Sequence, residues 1–139
     1  MTIEGVGAFI RLRTSPTPED QHRAATEDAS FEVWRELVRD HPDMRFWVAQ
    51  NKTVPLEILQ LLARDEDTSV RSMVERKRAV DPPTLDLLAG DADDGVRLAV
   101  ARNPATSEAT LRRLVDDPYE EVRAHVRRRL DVSPSQGGK

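Results

Sequence analysis

The 139-residue sequence contains no cysteine, few aromatic residues and no long hydrophobic run. The absence of cysteine excludes disulfide bonds, thiolate nucleophiles and cysteine-ligated zinc or iron–sulfur centres, and it agrees with a reducing compartment. No segment approaches the roughly 20 apolar residues of a membrane-spanning helix. The apolar stretch Val6–Ile10 is too short for a secretory signal. We therefore expect a cytoplasmic protein that does not contact a membrane.

Apolar material is scarce, since hydrophobic residues make up 38% of the chain, aromatic residues 4% and charged residues 33%. A chain of this length fits one domain, so leucine and valine must build one core or one continuous stack. The net charge of −4 gives no overall attraction to nucleic acid. Residues 1–43 hold five arginines against nine acids, whereas residues 44–139 hold sixteen basic and sixteen acidic residues. The basic charge therefore lies toward the C-terminal end.

The short motifs of common enzyme classes are also missing. The sequence has no G-x-S-x-G, H-E-x-x-H, G-x-x-x-x-G-K-[ST] or G-x-G-x-x-G pattern. The three histidines, His22, His41 and His125, fall in separate regions and are not expected to converge. We predict that the chain is not an enzyme and that it needs no metal, no cofactor and no small-molecule substrate.

Carboxylates crowd together at Asp65–Asp67 and Asp91–Gly95, and the second group faintly resembles a calcium loop. A loop of the EF-hand type that begins at Asp91 would need oxygen ligands where Gly95 and Arg102 stand. Helix capping is therefore the better explanation of both groups.

What the sequence does contain is a repeat of 26 residues. The repeated positions are Val48/Val74/Val100/Val126, Arg45/Arg71/Arg97/Arg123, Leu59/Leu85/Leu111, Leu62/Leu88/Leu114, Asp65/Asp91/Asp117 and Val70/Val96/Val122. In a first, slightly shorter unit, the equivalent places hold Trp34, Leu37, Asp40 and Met44. The sequence thus predicts four consecutive units.

Each unit is predicted to fold as two short helices. Leu59 with Leu62, and Val70 with Val74, recur at three- or four-residue spacing, which places each pair on one helical face. The expected N-caps are Thr53, Asp81 and Ser107 for first helices, and Asp67 or Thr68 and Asp93 or Asp94 for second helices. Helices of roughly ten residues are unstable alone in water, so each unit must bury its Leu/Val face against its neighbours.

We divide the chain into three parts. Residues 1–29 are predicted to form an N-terminal cap, with a loop at Thr14–Pro18 and a polar helix around Glu19–Glu27. Residues 30–131 are predicted to form the repeats. The units are placed at about 30–53, 54–79, 80–105 and 106–131. Residues 132–139, VSPSQGGK, are predicted to be disordered.

A known repeat family shares these features. The pattern D-x-x-x-x-V-R-x-x-V occurs at Asp65–Val74, Asp91–Val100 and Asp117–Val126. It resembles HEAT-like repeats, and the repeat length and the segment Val100–Pro104, VARNP, are most similar to the bacterial leucine-rich repeat variant. The resemblance implies an all-α fold, namely a right-handed α-solenoid (α-α superhelix) of about four short two-helix repeats with an N-terminal helical cap. It also implies protein or nucleic-acid contacts without a common enzymatic activity, so it indicates a fold before a function.

Two charged series recur at the 26-residue step: Asp65, Asp91 and Asp117, and Arg45, Arg71, Arg97 and Arg123. They could mark a charged binding face. We favour a structural ladder, because an Asp six residues before an Arg spans the turn between two helices. There it can cap the second helix and pair with the Arg of its own or the adjoining unit.

A further series lies on the second helices, turned away from the core valines at 100° per residue. We call it the concave stripe, and it consists of Phe46, Gln50, Arg76, Leu98, Arg102 and Arg128. In HEAT-like folds the second helices line the concave surface, so the resemblance implies that the stripe faces a groove. The runs Arg76–Arg78 and Arg127–Arg129 make it more basic toward the C-terminus. A solvated polar face is the alternative interpretation.

Phe46 and Trp47 are adjacent, and a helical repeat can bury one of them but hardly both. Trp47 lies nearer the core direction, which leaves Phe46 as a candidate exposed anchor for a partner. Packing of Phe46 against the N-terminal cap is the alternative. His125 occupies the repeat position of Trp47, so we expect it to be packed or half-exposed.

These observations predict a monomeric, non-catalytic scaffold for protein–protein interaction. Its groove is expected to receive an acidic or mixed surface of a protein partner. The alternative is binding of a DNA or RNA backbone through Arg76, Arg102 and Arg128, which match a phosphate track. The net charge of −4 disfavours that alternative.

Overall fold

The structure, a computed structural model, describes residues 1–130. The predicted disordered tail, residues 132–139, lies outside the described residues. Within residues 1–130 the elements are β1 (Thr2–Ile3), α1 (Val6–Thr14), α2 (Pro18–Thr26), β2 (Asp28–Ala29), α3 (Phe31–Asp40), a 3-10 helix (Pro42–Met44), α4 (Arg45–Gln50), α5 (Leu56–Leu62), α6 (Thr68–Glu75), α7 (Pro82–Leu88), α8 (Asp94–Arg102), α9 (Glu108–Arg113) and α10 (Glu120–Arg129). The predicted all-α class is confirmed. Within residues 1–130, none of the helices combines the length and the hydrophobicity that a membrane span requires.

The chain folds as two compact units, which we call the N-terminal unit (Met1–Ala79) and the C-terminal unit (from Val80 onwards). In the N-terminal unit, most helices pack on the following helix and on the next but one: α1 on α2 and α3, α2 on α4, α3 on α4 and α5, and α4 on α5 and α6. In the C-terminal unit, α7 packs on α8, and α8 packs on α10. Each unit is therefore built by sequential packing of helix pairs.

The repeated apolar positions form the core of both units. The equivalent leucines Leu59, Leu85 and Leu111 each lie in the first helix of a pair and are at most 4% exposed. The second helices bury their repeated valines, Val48, Val74, Val100 and Val126, completely. The two short helices predicted for each repeat are thus confirmed, and the equivalent apolar positions are buried in each helix pair.

Four of the five helices for which a cap was predicted begin after the predicted residue. Asp67, Asp81, Asp93 and Ser107 are N-caps whose side chains accept a hydrogen bond from a backbone N–H. The prediction for Thr53 is wrong, because α5 begins later and has Pro55 at its N-cap. The Thr53 hydroxyl bonds instead to the Asn51 side-chain oxygen at 2.7 Å. Thr53 therefore shapes the turn that leaves α4.

The first 29 residues contain more structure than predicted. The polar helix is confirmed as α2, whereas α1 and the parallel pairing of β1 with β2 were not predicted. Helix α1 buries Phe9 completely, with its ring 5.5 Å from the Trp34 ring of α3 in an edge-to-face arrangement. The N-terminal segment thus shares the core of the first helix pair.

Candidate binding surface

Arg45 and Asp65 join two helix pairs of the N-terminal unit. The Arg45 Nη1 atom lies 3.1 Å from the Asp65 Oδ1 atom, and the Arg45 Nε–H donates to the Val38 carbonyl at 2.6 Å. The second Asp65 oxygen accepts the Asp67 N–H at 2.9 Å, which shapes the turn before α6. Asp65 therefore does not cap α6 directly, because Asp67 takes that position.

Arg97 and Asp117 form the corresponding pair in the C-terminal unit. The Arg97 Nε and Nη2 atoms lie 2.8 and 3.2 Å from the two Asp117 oxygens, and Arg97 also pairs with Asp94. Asp117 Oδ1 accepts the Tyr119 N–H at 2.8 Å. Both side chains of the central pair are nearly buried. The pair thus connects α8 to the turn before α10.

Three of the four ladder arginines also bond to the main chain of the aspartate six residues earlier in the same repeat. The Nη1 atom donates to a carbonyl oxygen at 2.7–2.8 Å in three cases: Arg71 to Asp65, Arg97 to Asp91, and Arg123 to Asp117. The two carboxylate pairs described above instead join an Arg to the Asp 20 residues later. The side chains in these contacts hold turns and helices together.

A second ladder was not predicted from the sequence. Asn51, Lys77 and Arg129 each donate to carbonyl groups near the end of the preceding second helix or, for Asn51, of α2. The acceptors are Ala24 and Glu27 for Asn51, Gln50 and Asn51 for Lys77, and Ala101 and Asn103 for Arg129. The Ala24, Gln50 and Ala101 carbonyls lie in the last turn of a helix, where intrahelical N–H partners run out, so the ladder satisfies helix ends. The sequence did contain a signal for this ladder, because Lys77 lies one 26-residue step after Asn51 and Arg129 lies two such steps after Lys77.

Replacement of Asn51 with alanine is expected to lower the free energy of unfolding of the N-terminal unit by about 1–3 kcal/mol. Asn51 is fully buried, and its amide N–H groups are donors to the Ala24 and Glu27 carbonyls at 2.8 and 3.0 Å. The measurement is urea denaturation followed by tryptophan fluorescence. Alanine at the exposed neighbour Lys52 is the control, and equal effects of the two changes would contradict the role given to Asn51.

The concave-stripe residues of the N-terminal unit differ in exposure. Phe46 is half-buried, with its ring 4.9 Å from the Trp47 ring, and the Arg13 guanidinium of α1 lies 3.6 Å above Trp47. The expectation that Trp47 is buried and Phe46 exposed is therefore wrong. Both rings lie in one half-exposed cluster, and Arg13 of the N-terminal segment covers part of it. Gln50 is half-buried, whereas Arg76 is exposed.

Arg76 lies in an open cleft of about 550 Å³, which we call the basic cleft. Its lining residues all belong to the N-terminal unit: Lys52, Val54, Arg76, Lys77, Arg78 and Ala79. Four of these six residues are cations and none is an acid. Phe46 and Gln50 do not line the cleft, although the Gln50 carbonyl accepts the Lys77 Nζ–H. Lys52 lies one 26-residue step before Arg78, so consecutive repeats each supply one of these two rim residues.

Burial, together with the positive charge of Lys52, lowers the pKa of Lys77. Arg76, Arg78 and Lys52 are exposed, and their side chains make no hydrogen bond or ion pair within residues 1–130. The positive charge of the cleft is therefore available to a ligand.

In the C-terminal unit, two concave-stripe residues, Arg102 and Arg128, act on His125. Leu98 is half-buried, whereas Arg102 and Arg128 are exposed. His125 is half-buried, as expected, and its Nδ1 atom lies 3.3 Å from the Arg128 Nη2 atom. Burial and the charges of Arg128 and Arg102 lower the pKa of His125. At neutral pH the exposed charge of this surface thus comes from arginine.

Comparison with known protein families gives a match in the C-terminal unit. The model of the leucine rich repeat variant family matches residues 94–118, which span α8, α9 and the turn that contains Asp117. No curated protein and no solved structure matches the chain. The matched segment contains the VARNP sequence on which the resemblance was based. The comparison therefore shows that residues 94–118 are similar to the leucine rich repeat variant family.

Proposed function

We propose that this chain is a non-catalytic, cytoplasmic scaffold that binds an acidic or mixed surface of a protein partner. Its helix pairs would continue as a right-handed solenoid, with the second helices along a concave groove. The partner would lie along the concave stripe, from Phe46 and Gln50 through Arg76 to Leu98, Arg102 and Arg128.

The basic cleft is the observation that supports this function best. Charged residues on a protein surface are normally interspersed with opposite charges, which limits single-sign fields. In the cleft, four cations occur without an acid, and Arg76 of the concave stripe is one of them. Such a field attracts acidic surfaces and raises their rate of association.

Nucleic-acid binding is the competing function. It is favoured by the exposure of Arg102 and Arg128 on second helices, where they could contact phosphate groups. The net charge of −4 is unfavourable for such binding, because a chain with net negative charge repels a polyanion at long range.

Reversal of charge at Arg76 and Arg102 is expected to weaken binding of an acidic peptide at least about tenfold, or about 1.4 kcal/mol. The probe is a fluorescent oligoglutamate peptide, and its affinity is measured by fluorescence anisotropy at low and moderate salt. A single-stranded oligonucleotide of similar charge is titrated in parallel. The variant Arg76→Glu plus Arg102→Glu removes two positive charges from the concave stripe and adds two negative ones.

The matched control is Arg64→Glu plus Arg112→Glu, which reverses one exposed arginine outside the stripe in each unit. If the affinity for the peptide falls equally in the two double variants, net charge alone explains the loss. That result would contradict binding of the peptide in the groove. An oligonucleotide that binds more tightly than the peptide, with a steep loss at higher salt, would replace the proposal with nucleic-acid binding.

A further inference from the structure

The basic cleft carries more positive charge than a carboxylate ligand would neutralise. Lys52, Arg76 and Arg78 stand at its rim with exposed side chains, and Lys77 is half-buried between them. Val54 and Ala79 complete the lining without adding polar groups. A ligand that enters the cleft therefore meets cationic donors and two small apolar contacts.

Lys77 is held in place by the protein and still has a donor to offer. Its ammonium donates to the Gln50 and Asn51 carbonyls at 2.9 and 2.8 Å. An ammonium has three N–H donors, so one remains after these two bonds. The cleft thus combines a fixed cation with three movable ones at the rim.

We infer that the basic cleft binds a phosphate monoester carried by the protein partner, such as a phosphoserine side chain. A phosphate monoester carries a charge of about −1.5 to −2 at pH 7 and three acceptor oxygens. A carboxylate has one charge and two oxygens. The planar guanidinium groups of Arg76 and Arg78 can each donate two parallel hydrogen bonds to such a group.

The clustering of the cations favours this ligand over a nucleic-acid backbone. A nucleic-acid strand carries one negative charge per phosphodiester, about 3.4 Å apart along the axis of a duplex, so it suits an extended track of cations. The four cations Lys52, Arg76, Lys77 and Arg78 instead converge on one cleft of the N-terminal unit. The inference rests on the proposed function, because it assumes that the partner is a protein.

Isothermal titration of the full chain at low salt tests the inference. The probes are a short neutral peptide with one phosphoserine, the same peptide with serine or glutamate in that place, inorganic phosphate, and a single-stranded oligonucleotide. We expect the phosphoserine peptide to bind at least about tenfold more tightly than the glutamate peptide, and the serine peptide not to bind. Backbone chemical-shift changes should be largest at residues 52 and 76–79.

The test variant is Arg76→Gln plus Arg78→Gln, which removes two rim cations and should weaken phosphopeptide binding at least about tenfold. Lys77 is left unchanged because it also supports the fold. The control, Arg35→Gln plus Arg64→Gln, removes two exposed arginines of the same unit outside the cleft and should leave the affinity unchanged.

Each other outcome overturns a stated part of the inference. Equal affinity for the phosphoserine and glutamate peptides overturns the phosphate ligand, while Arg76-dependent binding of acidic peptides would still support the proposed function. If inorganic phosphate binds as tightly as the phosphopeptide, the peptide adds nothing to the affinity. That result overturns the inference that a protein partner carries the phosphate. Normal phosphopeptide binding by the Arg76/Arg78 variant overturns the site. An oligonucleotide that binds more tightly than the phosphopeptide, with a steep loss at higher salt, overturns both the inference and the proposed function.

Discussion

Replacement of Asp117 with alanine is expected to lower the free energy of unfolding of the C-terminal unit by about 3–5 kcal/mol. The Arg97 and Asp117 side chains are only 10% and 4% exposed, and two contacts of 2.8 and 3.2 Å join them. Removal of the carboxylate leaves a buried guanidinium whose other acidic partner, Asp94, is 57% exposed. It also removes the acceptor of the Tyr119 N–H.

Urea denaturation followed by far-ultraviolet circular dichroism measures this loss. Asp94→Ala is the matched control, because it removes the exposed carboxylate from the same arginine and should cost less than about 1 kcal/mol. Both tryptophans lie in the N-terminal unit, so their fluorescence reports on that unit separately. Equal losses from the Asp117 and Asp94 variants would show that burial does not set the strength of this pair.

The same pair makes the C-terminal unit sensitive to acid. Burial has the largest single effect on Asp117 and acts to raise its pKa, but hydrogen bonds from Arg97 and the Tyr119 N–H, with the charges of Arg97 and Arg123, together hold it below the usual range. A carboxylate with a lowered folded-state pKa contributes stability above its unfolded pKa of about 3.9, and this contribution is lost as the pH falls through the folded-state value. The wild-type chain should therefore lose more stability below about pH 4 than the Asp117→Asn variant.

The repeated core could be predicted from the sequence because one physical requirement recurs at one interval. Leu59, Leu85 and Leu111 are buried for the same reason, since each short helix needs an apolar face toward its neighbours. Four capping residues were also identified correctly, because Asp and Ser act on a backbone N–H two or three residues away. At these positions, local capping chemistry and the 26-residue step were sufficient to predict the structure.

The second ladder escaped prediction because its members share a geometry and not a residue type. Asn51, Lys77 and Arg129 all reach back to main-chain carbonyls, yet an amide, an ammonium and a guanidinium do so with side chains of different length. A search for identical residues does not find such a series. The basic cleft was missed for a related reason, because the charge run Arg76–Arg78 was visible in the sequence but the contribution of Lys52 was not.

The N-terminal segment was the least predictable part of the fold. It lies before the first repeat, so the 26-residue step gives no information about it. Helix α1 includes Gly7 and has no acidic residue in its first turn, so its local signals are weak. Its position depends on burial of Phe9 against Trp34, which is a tertiary contact between residues 25 positions apart.

Replacement of Trp34 with alanine is therefore expected to lower the free energy of unfolding of the N-terminal unit by about 3–5 kcal/mol. The indole is fully buried, and its removal would leave a cavity beside Phe9, Leu37 and their neighbours in the core. The variant also loses the edge-to-face contact with Phe9. Urea denaturation followed by circular dichroism measures the change, because removal of one of two tryptophans alters the fluorescence itself.

Trp34→Phe separates the volume of this side chain from its polar group. The Trp34 Nε1–H is buried and finds no acceptor among residues 1–130, so its removal relieves an unsatisfied donor while the phenyl ring still contacts Phe9. Phenylalanine should therefore destabilise the unit much less than alanine does. Trp47→Ala is the control, since Trp47 is half-exposed and its loss should cost less than the loss of Trp34. If Trp34→Ala left stability close to that of the wild type, Phe9 and α1 could not be part of the core, and the N-terminal segment would have to fold apart from the helix pair that it is placed against.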